Sequence, residues 1–400
     1  MKLSPFFAAA LLGAAAVLAD EPDSAARKPL QAEAAFNGYR DDNRLSVASG
    51  AMGLTLPLGP AWFMRMKFGS DRIAIDPPQA GTVLDPHAGH GAHDHIDEDD
   101  NPSVDAVSGA SARVGYGGAG TVEYRMEGSA GISRRVRSGS APVTVTCEVR
   151  ASHEPDYLSA GGTVSAEAEF FQGNTVATVF IGGGRDEIDP PVVPAGQQGR
   201  WPAVQAKLSG GFSLAQSLTP RLTVSGGASA AWLAGRLSSP YRNSLVGITA
   251  FPERLPDRRL RATAFAQASY YLGWGSALHL REGLYADDWD VSAWIPEAAL
   301  AKEFGPVLLT VRHRFYAQTQ ASFYLAVYRD RTGFQTGDAR LGRLYGQTVG
   351  VEAEVPLSFK TRRSGPMVSV EYVFSGLEYP DLYPRTLYGH VVTLRVTGEF

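Results

Sequence analysis

Cysteine is almost missing: Cys147 is the one thiol in 400 residues. A single Cys excludes an intrachain disulfide framework and a thiolate-rich metal site. It falls on the apolar side of the alternating run Val143-Thr-Val-Thr-Cys147-Glu-Val149 and reads as a small hydrophobe. A basic excess is missing too. Lys and Arg total 37 against 41 Asp and Glu, a net charge of −4, so nothing displaces counterions from a nucleic acid. Beyond residue 19 no window of 18 apolar residues occurs, and no helix is expected to span a bilayer. No Ser-centred elbow and no helical metalloprotease signature is present, so the chain is read as a non-enzyme.

What is present begins with an address. Met1-Lys2 is a short positive start, residues 6–18 are apolar, and Val17-Leu18-Ala19 precedes Asp20-Glu21-Pro22. This pattern predicts a secretory signal peptide over 1–19, too short to span, with cleavage near Ala19. No Cys follows the cleavage position, so no lipoprotein anchor is expected.

After it the dominant period is two. At the chain end Tyr388, His390, Val392, Leu394, Val396 and Phe400 share one face, while Val391, Thr393, Arg395, Thr397 and Glu399 share the other. Leu222 to Trp232, Val307 to Gln318 and Thr348 to Leu357 alternate in the same way. Such runs are strands between two different media. At about 10 to 14 residues each, they are long enough to cross a membrane when tilted. Brief turns at Leu58-Gly-Pro60, Ser138-Gly-Ser140, Gln172-Gly-Asn174, Leu218-Thr-Pro220, Gly273-Trp-Gly275 and Phe304-Gly-Pro306 alternate with long polar connections at 77–112, 185–201, 237–258, 321–345 and 377–386. Short turns on one rim and long loops on the other are the asymmetry of outer-membrane barrels. The expectation is an all-β, transmembrane, antiparallel up-and-down barrel of about 16 strands (14–18), with both termini periplasmic. A periplasmic arm at 20–30 leads into a barrel at 31–400. Tyr270, Tyr271 and Trp274, Phe170 and Phe171, and Phe323, Tyr324 and Tyr328 are read as interfacial girdles.

The terminal pattern resembles the assembly signal of outer-membrane barrels, carried by Tyr388, Val392, Leu394, Val396 and Phe400, with Gly398 a departure. Val107-Ser-Gly-Ala-Ser111, Ser239-Pro-Tyr-Arg242, Pro252-Glu-Arg-Leu-Pro-Asp-Arg-Arg259 and the stretch from Tyr271-Leu-Gly-Trp-Gly275 to Tyr285-Ala-Asp-Asp-Trp289 resemble a domain-of-unknown-function family of outer-membrane proteins, number thirty-five seventy. The resemblance implies an envelope barrel with no established activity. It also implies a redox or electron-transfer setting, because members are often encoded beside thioredoxin-like and flavin-transferring proteins.

The face opposite the lipid carries Glu123, Arg125, Glu127, Glu148, Arg150, Glu167, Glu169, Arg281, Arg312, Arg314, Glu352, Glu354, Glu371 and Arg395. A midplane Arg in hydrocarbon costs roughly 2–4 kcal/mol, so these groups are expected to face water or one another. Two readings stay open. The charges form cross-strand pairs, Arg312 and Arg314 with Glu352 and Glu354 and Arg395 with Glu371, or they line an aqueous pore. His87, His90, His93 and His95 with Asp97 and Asp99 form a flexible outer tract suited to weak binding of Zn, Cu or Ni. Gly115-x-Gly117-x-x-Gly120 lacks a following helix and reads as chance. Asp287-Asp288-x-Asp290 lacks the spacing of a calcium loop.

The functional expectation is a porin-like channel for small polar solutes or ions in a Gram-negative outer membrane. Outer-membrane lipid and the barrel-assembly machinery are its expected partners, and nucleic acid is not. The alternative is a non-conducting scaffold for a redox or lipoprotein partner in the periplasm.

Overall fold

A computed structural model describes residues 30–42, 45–75, 121–138, 141–190, 199–357, 366–382 and 385–399. Its strands are β1 (Gln31–Asp41), β2 (Leu45–Pro57), β3 (Trp62–Ile75), β4 (Thr121–Ser138), β5 (Ala141–Glu154), β6 (Tyr157–Phe170), β7 (Thr175–Ile188), β8 (Ala203–Thr219) and β9 (Leu222–Gly235). They continue as β10 (Asn243–Val246), β11 (Thr249–Pro252), β12 (Arg258–Gly273), β13 (Ser276–Asp287), β14 (Ser292–Phe304), β15 (Val307–Gln318), β16 (Leu344–Pro356), β17 (Met367–Glu378) and β18 (Thr386–Glu399). Sixteen of them form one closed antiparallel barrel, and β10 with β11 makes a separate hairpin between β9 and β12. Closure comes from β1 against β18, in continuous register from Gln31 opposite Glu399 to Asp41 opposite Gly389. With no free edge, the ladder N–H and C=O groups are satisfied within the sheet, which is what hydrocarbon demands.

Alternation sets the two faces. Phe36, Met52, Phe68, Val179, Phe212, Leu284, Val351 and Leu394 are all exposed on the outside, and their strand neighbours turn inward. Cys147 shares the outward face with Val149, as the small-hydrophobe reading requires. Barrel strands of 11 to 18 residues meet or exceed the roughly 9–11 that a tilted crossing needs, so the longer ones rise past the membrane.

The rim asymmetry is only partial. The connections at 42–44, 155–156 and 288–291 leave the outer rim yet are as short as the opposite turns. A few residues reverse an antiparallel pair on either side, so loop length alone does not mark the rim. A second correction concerns aromatics. Tyr324 and Tyr328 are 3% and 6% exposed and pack within the outer loops instead of forming a girdle. Phe323 joins them, its ring 5.4 Å edge-on from that of Trp289. Apolar clusters therefore gather beneath and above the outer rim: Tyr39, Leu45, Ile73 and Val391 in one, and Trp289, Val291, Ala321, Tyr324 and Leu341 in another.

Candidate functional site

The charges singled out from the pattern all alternate with exposed apolar residues and so face the lumen. Glu123 and Arg125 sit between Val122, Tyr124 and Met126; Glu148 and Arg150 flank Val149; Arg281 follows Leu280. Arg312 and Arg314 follow Val311, Glu352 and Glu354 follow Val351, Glu371 lies between Val370 and Tyr372, and Arg395 between Leu394 and Val396. Glu127, Glu167 and Glu169 share the inward parity of their strands. Glu282 departs from the expectation that charge avoids the outer face. It lies outward near the middle of β13, where the indole N–H of Trp294 donates to its carboxylate.

For Arg312 the partner is not one of the acids on the neighbouring strand. Arg312 stands opposite Gly350, Arg314 opposite Thr348, and Arg395 opposite Ser369. Arg312 instead reaches over Gly350 to Glu371 on β17. A Cβ on Gly350 would lie 2.8 Å from Arg312 Nε, so the bare glycine makes that reach possible. The inward charge of Glu371 also stands opposite Glu352, a like-charge pair that Arg312 offsets. Elsewhere Arg125 bridges Asp71 (2.7 Å) and Glu127 (3.2 Å), Arg135 holds Glu169 (3.0 Å) and Lys207 holds Asp186. For Arg312, adjacency in chain order is a poor guide because its long side chain slants across a tilted wall.

Above the wall lies a polar network that the pattern did not reveal. Asp287 takes Arg259 Nε (2.9 Å) and Tyr285 OH (2.8 Å) on one oxygen and the N–H groups of Trp289 and Val291 (3.0 Å each) on the other. The guanidinium of Arg259 also covers the Trp289 ring at 4.2 Å. Arg259 thus occupies the place of a cation, and the Asp287-Asp288-x-Asp290 motif closes a turn. Higher still, Glu253 accepts from Ser239 N–H and from Thr336 Oγ1 (2.7 Å). Arg242 contacts Asp338 at 3.1 Å, and Arg340 clasps both oxygens of Asp338 at 2.9 Å. This clamp joins the β9–β12 loop to the β15–β16 loop. Tyr241 carries it across the mouth by donating to Asp156 at 2.6 Å, and Arg343 extends it the other way to Asp381. Burial pushes the Glu253 carboxyl up to about 7 although Arg242 is near. Burial also opposes ionisation of Asp338, but Arg242 and Arg340 prevail and hold it below the usual carboxylate range. Tyr241, Arg242, Glu253 and Arg259 all fall in the stretches that carried the family resemblance, which was the available signal.

Among the described residues no three His, Cys, Asp or Glu groups are placed to hold a metal ion. His87, His90, His93, His95, Asp97 and Asp99 lie outside those residues, as do Gly115 to Gly120, the leader over 1–19 and Phe400. Tyr388, Val392, Leu394 and Val396 face outward on β18. His279 is inward, its Nδ1 2.9 Å from Ser269 Oγ, while His390 is outward with Nδ1 2.7 Å from Tyr372 OH.

A family model described as a protein of unknown function (DUF3570) matches residues 5–372. The chain belongs to this family. No curated protein sequence matches it. Among solved structures it is similar to a bacterial polysaccharide outer membrane secretin, at 10% identity and a TM-score of 0.50, over 94% of this chain and 99% of that one. It is also similar to the ferric enterobactin receptor of Pseudomonas aeruginosa (13% identity, TM-score 0.44), spanning 89% of this chain but 54% of the receptor. The CymD monoaromatic hydrocarbon channel matches at 7% identity and a TM-score of 0.40, over 94% and 89% of the two chains. At such identities the likeness is one of fold: this member of the family is a sixteen-strand barrel of the outer-membrane kind.

Proposed function

We propose that this barrel is a porin-like passage for small polar solutes or ions across a Gram-negative outer membrane. The observation that carries the reading is a sixteen-strand wall whose inner face bears both signs of charge, from Arg125 on β4 to Arg395 on β18. Sixteen tilted strands enclose a backbone cylinder about 30 Å across, wide enough for water unless loops fill it. The test is single-channel recording of the mature chain refolded into a planar bilayer. Discrete open steps support the passage, and a well-inserted barrel that never conducts removes it.

The clamp over the mouth favours one other reading, a non-conducting scaffold for a redox or lipoprotein partner. Co-purification of a second protein at fixed ratio would carry that alternative. The tract from His87 to Asp99 adds a metal-responsive element to the leading reading. Zn, Cu or Ni should then reduce the current in the parent and leave a variant with all four histidines replaced unaffected.

A further inference from the structure

The outer third of the lumen wall on β3, β4 and β5 is built against itself. Asp71, Glu123 and Glu154 project inward from three successive strands, and Asp156 follows in the β5–β6 link. Glu154 lies within electrostatic reach of Arg125, Asp156, Glu123 and Asp71. The Arg125 guanidinium is already engaged with Asp71 at 2.7 Å and with Glu127 at 3.2 Å. Glu154 is 3% exposed and Asp156 is 4% exposed. Asp156 Oδ2 accepts from Tyr241, but Asp156 Oδ1 and Glu154 Oε1 are shielded from solvent and accept no hydrogen bond. A buried carboxylate oxygen without a donor is costly, and two of them beside further acids call for a positive group between them.

The geometry also narrows that group. A bare Ca or Mg ion needs several oxygens converging at about 2.0–2.6 Å, and no three acidic groups of the described residues do so. The Tyr241 hydroxyl donates to Asp156 instead, and Tyr157 stands opposite Glu154 in the ladder with its own hydroxyl 3.4 Å from Lys207 Nζ. Spaced carboxylate oxygens suit an N–H donor cation, which meets them one hydrogen bond at a time, better than a compact ion. We propose that Glu154 and Asp156, roofed by Tyr241, bind the ammonium or guanidinium head of an organic cation. The site deepens the passage reading, on which it rests for traffic, by giving organic cations as the solute class.

The test separates binding from conduction. Calorimetry on the folded barrel in detergent uses 1,4-diaminobutane as probe, with Mg as the compact-ion comparison. Diaminobutane should bind the parent and bind the Glu154→Gln, Asp156→Asn double variant at least tenfold more weakly. The single variant Glu154→Gln should fall between them, and heat-modifiable gel migration checks that each variant is folded. Unchanged affinity in the folded double variant, or tighter binding of Mg than of diaminobutane, overturns the site. A barrel that binds diaminobutane but never conducts keeps the site and removes the passage.

Discussion

Asp287 shows how much one side chain can hold at the outer rim. Both its oxygens are spent, on Arg259 and Tyr285 and on two backbone N–H groups, and its side chain is fully shielded. Removing one partner of a buried pair strands the other charge, at a cost of roughly 3–5 kcal/mol. Asp287→Ala should lower barrel stability by that order in urea unfolding, whereas Asp288→Ala, at an exposed position, should cost much less. Gly235 is the matching backbone case. Its φ is +116°, and an added Cβ would lie 2.2 Å from the Val204 carbonyl oxygen. Gly235→Ala should therefore cost about 1–3 kcal/mol from strain at the exit of β9, read by the same unfolding curves. Neither dependence is legible in the sequence: a glycine in a chain with 44 of them, and an Asp beside other Asp residues, look ordinary.

The elements that matter most are the two loops locked by Glu253, Arg242 and Asp338. Glu253 is pushed up to about 7, so the docked loops hold a proton that the undocked chain gives up above its ordinary carboxylate range. That contribution is fully present below about pH 4.5 and is lost as pH rises through about 7. Asp338 runs the other way: held low, it supports docking above its ordinary range and loses that support only in strong acid. The clamp should be tightest near pH 5 and loosen toward pH 8. Spin labels at positions 248 and 332, in a background with Cys147 replaced, should show a broader distance distribution at the higher pH. Glu253→Gln should remove that change. The strands beneath were readable because alternation repeats every two residues for a whole crossing. The loops were not, because a clamp joins residues 83 apart, Glu253 and Thr336, with no periodicity to announce it.

For the whole molecule, the division between lipid and lumen is the property that everything else depends on. Val392 faces outward and Thr393 inward on the same strand, with Thr393 opposite Glu371. Val392→Arg should cost about 2–4 kcal/mol in folding into lipid vesicles, while Thr393→Arg, placed beside an acid, should be tolerated. Equal costs at both sites would reverse the face assignment. Conductance of the refolded barrel then decides between an open passage and a scaffold.

The sequence by itself determined the strand period, a strand number of about 16 and, Glu282 aside, which charged side chains turn away from lipid. Those follow from local chemistry: a residue between hydrocarbon and water has its face set by its own polarity. Tertiary structure alone decided which charges meet, since Arg312 finds Glu371 across Gly350 and not the acids on the strand beside it. It also placed Tyr241 over Asp156 and bound two distant loops into one cover. Barrel closure and strand tilt bring those partners together, and both are properties of the closed sheet as a whole.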